Sequence, residues 1–254
     1  MQLAFGAGAL WGNRTDVTGS GIGPDQFGIL QDVQIDWDWT TKELWGQFQF
    51  PVDIARGQGK ITGKAKFARI FGAIYGDLFF GQTPATGQLT VSENEAASVP
   101  ATTPFTVTVA NAASYVDDLG VFYATGASAG NRFTRVTTPS SAGQYSVNLT
   151  TGIYTFAAAD ATTSLLISYL YNSTTGKKLV LTNQFMGNTP TFKATFYTAK
   201  TTQSTPAGLA LVLNACTATK LSLPTKIDDY EIQEFDFSAL ADATGTIGTL
   251  SVNE

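Results

Sequence analysis

Carboxylates are the side chains whose spacing comes nearest to a chemical apparatus. Asp36 and Asp38 alternate along one stretch, and Glu231 and Glu234 form a second acidic pair. Two carboxyl groups flanking a glycosidic bond can hydrolyse it, one giving a proton while the other acts as base or nucleophile. The rest of the chain argues against a reaction. It contains no histidine, which removes the usual acid–base residue, the serine and cysteine triads, and the common zinc and iron sites. The lone Cys216, in Leu213-Asn-Ala-Cys-Thr, reads as a small core residue, and a single cysteine forms no intrachain disulfide. Gly57-Gln-Gly-Lys60 and Gly63-Lys64 imitate a phosphate loop, but Gln58 stands at the first glycine position and Ala65 follows the lysine. Strand glycines or a bulge explain them better. No cofactor and no metal are expected.

The acidic pairs belong to longer patterns. From Asp32 to Trp39 the chain alternates without a break, with Val33, Ile35, Trp37 and Trp39 on one side and Asp32, Gln34, Asp36 and Asp38 on the other. Side chains on a strand point alternately to opposite faces, so this is a strand with an apolar face and an acidic, solvated face. Thr40-Thr41-Lys42-Glu43 reads as a polar link, after which Leu44, Phe48 and Phe50 alternate with Gln47 and Gln49 as the second arm of a hairpin. Trp37 and Trp39 are expected in the core, whereas Trp45 breaks the polar face and suits a subunit contact. A second acidic strand is expected over Asp228–Leu240, where Tyr230, Ile232, Phe235 and Phe237 alternate with Asp229, Glu231, Glu234 and Asp236. Its apolar parity slips between Ile232 and Phe235, which suggests a bulge.

Phe67, Ile70, Phe71, Ile74, Tyr75, Leu78 and Phe79 follow helical periodicity and predict one helix over about 66–80, stopped by Gly81 and Pro84. Between 97 and 175 the composition changes. No lysine occurs between Lys66 and Lys177, and short strand patterns recur at Phe105–Val109, Leu119–Tyr123, Phe133–Val136, Gln144–Asn148, Ile153–Phe156 and Ser164–Tyr171. That spacing predicts an immunoglobulin-like β-sandwich module inserted into a discontinuous main β-domain, 1–96 plus 176–254. Further strands are expected at Lys178–Gln184, Thr191–Thr198, Leu209–Asn214 and Lys220–Leu223, with an edge strand near the end.

Composition narrows the function class. Only 14% of the 254 residues are charged, against about a quarter in ordinary soluble domains. Low charge suits a protein that buries surface on its neighbours. The net charge of −5, with a basic concentration only at Arg56–Arg69, disfavours nucleic-acid binding. No apolar run approaches the ~20 residues of a membrane span, and the first residues lack the pattern of a signal peptide.

Three stretches carry a family resemblance: Gly28 through Gly63-Lys-Ala-Lys-Phe-Ala-Arg-Ile, Gln144-Tyr-Ser-Val…Gly152-Ile-Tyr-Thr-Phe-Ala-Ala-Ala-Asp160, and Leu211-Val-Leu-Asn-Ala-Cys…Ile232-Gln-Glu-Phe-Asp-Phe-Ser-Ala-Leu-Ala-Asp-Ala. Together they resemble the major tail tube proteins of long-tailed, non-contractile bacteriophages. The resemblance implies a mainly β tail-tube sandwich or barrel with one flanking helix. It also implies a homo-oligomer of stacked, hexameric rings in the virion tail, made in the bacterial cytoplasm, with no enzymatic activity. Its implied partners are tail tip, tape measure and tail terminator proteins, and DNA crossing the lumen without sequence-specific binding. Asp32, Gln34, Asp36, Asp38, Glu231, Glu234 and Asp236 are then candidates for an acidic lumen wall that repels DNA. Trp11 and Phe27 in the glycine-rich arm, Trp45, and Ile247 and Leu250 in the tail are candidates for inter-subunit contacts. The alternative from another class is a tail-tip or surface adhesion protein that holds host glycans through the inserted module.

Overall fold

The computed structural model describes residues 6–17, 23–69, 72, 74–199, 208–225 and 227–252. The strands, in chain order, are β1 (Ala9–Arg14), β2 (Asp25–Gln26), β3 (Leu30–Trp45), β4 (Pro51–Phe67), β5 (Ala85–Ser98), β6 (Thr106–Thr108), β7 (Tyr115–Tyr123) and β8 (Thr134–Arg135). After them come β9 (Gln144–Asn148), β10 (Ile153–Phe156), β11 (Ser164–Lys178), β12 (Phe192–Ala199), β13 (Gly208–Ser222), β14 (Gln233–Leu240) and β15 (Gly248–Ser251). The fold is mainly β. It divides into two compact units, one of Met1–Pro84 with Leu179–Glu254 and one of Ala85–Lys178.

The first unit is built on an antiparallel sheet in the order β2-β1-β12-β13-β14-β4-β3, with β15 also paired to β13. Strand alternation places Gly63, Ala65 and Phe67 of β4 on the buried face, beside Gln233, Phe235 and Phe237 of β14. Phe27, Phe192 and Phe79 gather around Phe235 at ring separations of 5.2, 5.9 and 6.4 Å. Ile74 and Leu78, from a helical segment over Ile74–Phe80 with wide π-type turns, complete this core. Two glycines make room for it. A Cβ at Gly12 would overlap the Leu78 side chain, and one at Gly63 would overlap the Phe237 ring.

Several boundaries differ from the expectations. Thr40–Glu43 is no turn: β3 runs through it to Trp45, and the chain reverses at 46–50. The break falls instead in β4, where the register shifts from Trp39↔Gly59 to Thr41↔Arg56 and a bulge absorbs Gly57 and Gln58. The helix does not begin at Lys66, because Phe67 still pairs with Leu30 on one side and Gln233 on the other. Ladder hydrogen bonds on both sides outweigh a periodicity to which Phe67 contributes equally well as a buried strand residue. Ile70, Phe71 and Ala73 of that expectation lie outside the described residues. The second acidic strand starts at Gln233, so the parity slip at Ile232 marks a strand beginning and not a bulge within β14. Residues 179–191 form no strand, whereas the expected pair at 209–214 and 220–223 is the single strand β13.

The second unit contains a four-stranded sheet, β6-β10-β9-β8, and a three-stranded sheet, β5-β11-β7. One cluster joins them: Tyr145, Tyr154 and Phe156 from the first sheet meet Val121, Leu165, Ile167 and Tyr169 from the second. The unit begins at Ala85, before the composition shift at 97, since β5 pairs along β11 from Ser98↔Ser164 to Ala85↔Lys178.

Candidate functional site

The solvated face of the first unit's sheet carries most of the acidic residues singled out above, but not as an acidic wall. Directly paired residues on neighbouring strands project to the same face. The register therefore reads across the strands as Asp32, Lys66, Glu234, Ser222, then Gln34, Lys64, Asp236, Lys220, then Asp36, Thr62, Ser238, Thr217. Asp38 stands opposite Lys60. Acidic β3 and β14 thus alternate with basic β4 and the Lys220 end of β13. Five carboxylates (Asp32, Asp36, Asp38, Glu234, Asp236) face four ammonium groups (Lys60, Lys64, Lys66, Lys220).

Glu234 sits between two of those cations, ion-paired to Lys64 and, at 3.4 Å, to Lys220. Gln34 Nε2 donates to both oxygens of Asp36, at 3.2 and 3.0 Å. Between the stripes lies an open depression of about 390 Å³, lined by Gln34, Asp36, Lys60, Thr62, Lys64 and Asp236 among others. The expectation of a repulsive acidic row is corrected here: each aspartate row has a lysine row as its neighbour, which a one-strand pattern cannot reveal. Glu231 drops out of the row altogether. It precedes β14, and its charge acts on Tyr75 of the helical segment. The Tyr75 phenol is pushed up to about 12, first by burial and then by that carboxylate.

The apolar face tells a second story. Val33 and Ile35 pack against the core, but the same face of β3 continues outward, and Trp37 and Trp39 are each 44% exposed. They do not anchor the hairpin in the subunit core, because β14 accompanies β4 only from Phe67 to Ile61. Beyond that pair, β3 and β4 form a two-stranded ribbon with every residue from Asp36 to Phe50 exposed. From Asp38 to Trp45 it extends roughly 25 Å, at about 3.3 Å per residue. Trp45, Phe48, Phe50, Val52 and Ile54 are exposed on it, Phe48 and Phe50 to 74% and 80%. The Arg56 guanidinium lies 4.8 Å from the Trp39 ring centre, a cation–π contact that covers part of one face.

The remaining contact candidates divide. Ile247 and Leu250 are exposed near and on β15, and Trp11 is half-buried. Phe27, at 2% exposure, belongs to the subunit's own core, edge-on to Phe67 at 5.4 Å. It follows β2, and its amide donates to the Leu10 carbonyl at 2.9 Å, so the arm packs here and Phe27 offers nothing to a neighbour.

In the second unit, two carboxylates have structural work that their isolation in the sequence does not announce. Asp118 accepts hydrogen bonds from the Tyr145 and Tyr154 hydroxyls at 2.7 and 3.0 Å and from the Gly120 amide at 3.0 Å. Arg135 lies 3.6 Å from it. Burial, with this carboxylate close by, raises both tyrosine pKa values. Asp160 is likewise buried and receives the Gly143 amide at 3.0 Å and the Tyr123 hydroxyl at 3.4 Å. Cys216 is buried in the first unit, and desolvation pushes its thiol up to about 12, away from the reactive thiolate.

Among the described residues, no helix is long and apolar enough to cross a membrane. Among the same residues, no group of three or more acidic or cysteine side chains is placed to hold a metal ion. In comparisons with known proteins, the chain matches no family model and no curated protein sequence.

Proposed function

We propose that this chain is a structural subunit that assembles with copies of itself into a tube of stacked rings, of the kind formed by phage tail tube proteins. In this reading the rings are hexameric, the second unit is an immunoglobulin-like addition, and DNA travels through the lumen. Tail tip, tape measure and tail terminator proteins are the further partners.

The observation that carries the reading is the β3–β4 ribbon. A lone two-stranded ribbon is marginal in water, and this one displays Trp37, Trp39, Trp45, Phe48, Phe50, Val52 and Ile54. Burying one such side chain is worth about 1.5–3 kcal/mol. Several together are needed to overcome the roughly 4–15 kcal/mol that association costs in lost freedom. The outer edge of β3, a strand end of the sheet order, supplies unpaired backbone groups that a neighbour's strand would satisfy. The charge-striped face supports conduction by a different route from repulsion. Lys64 and Lys220, both paired with Glu234, and the carboxylate rows beside Lys60 and Lys66 give a passing polyanion little to hold.

Trp45→Ser with Phe48→Ser tests the reading. Light scattering and negative-stain microscopy of the parent protein are expected to show rings or tubes of uniform diameter. The double variant is expected to stay monomeric at concentrations at least 100-fold higher, with the same circular dichroism spectrum. A parent protein that remains monomeric under crowding and high salt would overturn the proposal.

A further inference from the structure

Where β2 and β1 meet the helical segment, two carboxyl groups are held at the rim of the first core. Asp25 pairs with Gly12, Gly12 with Ala194, and Ala194 with Leu213. Paired residues share a face, and Ala194 and Leu213 are buried, so Asp25 ends a row that otherwise faces the core. Leu78 packs onto Gly12 from the helical segment. Its neighbour Asp77 has a buried Oδ1 with no hydrogen-bond partner.

The charges around this pair offset it only in part: Arg14 attracts Asp77, but its guanidinium is bound to another carboxylate. Arg14, on β1, gives its Nε and Nη2 to the two oxygens of Asp16 at 2.7 and 3.0 Å. Lys193 of β12 stands opposite Asn13 and so projects to the other face. The helical segment adds only the Tyr75 phenol, whose burial favours its neutral form. Burial followed by the charge of Asp77 pushes Asp25 up to about 6, and burial raises Asp77 against the opposing charge of Arg14.

We propose that Asp25 and Asp77 form a proton-operated latch that fastens β1, β2 and Phe27 to the helical segment. With one of the carboxyls protonated, the strand pair is docked and Phe27 closes the core. With both ionised, two desolvated charges face each other and the strand pair loosens. The direction follows from linkage. A carboxyl whose pKa is higher when docked stabilises docking progressively as pH falls through about 6. The gain is complete below its free value near 4 and absent at pH 7.5. The latch does not depend on the tube reading and stands or falls separately.

Hydrogen exchange of the Phe27 amide in the full-length protein tests it. After correction for intrinsic exchange, the opening equilibrium is expected to rise about tenfold from pH 5 to pH 7.5. Asp25→Asn, which keeps the shape and removes the titration, should abolish that rise, and Asp77→Asn should shrink it. A parent protein with equal protection at both pH values overturns the latch, and so does an Asp25→Asn variant that keeps the tenfold change.

Discussion

The two compact units treat their apolar and polar groups in opposite ways. The second draws them inward: two sheets share one aromatic cluster, and Asp118 and Asp160 tie tyrosine hydroxyls and backbone amides inside it. The first lets its apolar face run past its own core, onto a ribbon where Trp39 rests against Gly59 and Arg56 and stays 44% exposed. One unit closes over its buried polar groups, and the other leaves much of one apolar face open. A module that carries its own polar closure tolerates being an insertion, whereas an assembling domain must keep part of its burial unspent until partners arrive.

That contrast can be broken at its strongest point with Asp118→Ala. Two tyrosine hydroxyls and the Gly120 amide would lose this acceptor, at about 1–3 kcal/mol for each buried donor left unpaired, while the half-exposed Arg135 adds little. Thermal unfolding followed by near-ultraviolet circular dichroism should show this transition falling while, on the proposed tube reading, assembly through the first unit persists. A smaller effect is expected from Gly63→Ala, whose new methyl group meets the Phe237 ring. Overpacking of this kind costs about 1–3 kcal/mol, read as a lower denaturation midpoint for the first unit alone. The smallest effect should follow excision of Ala85–Lys178 with Pro84 joined to Leu179. The first unit's unfolding midpoint should move by no more than about 0.5 kcal/mol equivalent, as for changes remote from its core. A large loss there would show that the units are energetically one.

How much of this was legible in the sequence depends on the scale of the pattern. Alternation at Asp32–Trp39 announced a strand with two unlike faces, because strand geometry is local. It could not say where along the strand the core stops, since that is decided by β14, which ends its pairing at Ile61. Trp37 and Trp39 were therefore placed too deep. The same limit governs charge. Lys60, Lys64 and Lys66 alternate as regularly as the aspartates, but only the register sets one row beside the other. Phe67 misled the helix boundary because it fits both a helical stripe and the buried face of β4. Cys216 was readable as core from its apolar neighbours alone. Asp118 gave no local signal, since its partners Tyr145 and Tyr154 come from strands far along the chain.

The pairing of Ala85 with Lys178 has a consequence for how such a chain could have grown. The second unit leaves and returns through adjacent residues of one antiparallel pair, so its ends are already held at hairpin distance. To the first unit, nearly a hundred residues then amount to a short pinned loop. The entropy of closing that connection hardly rises with the cargo it carries, because closure cost grows only logarithmically even for a flexible loop. Ala85 and Lys178 therefore act as a socket. Any self-contained domain whose termini lie side by side should plug into it, at the same small entropic cost to its host.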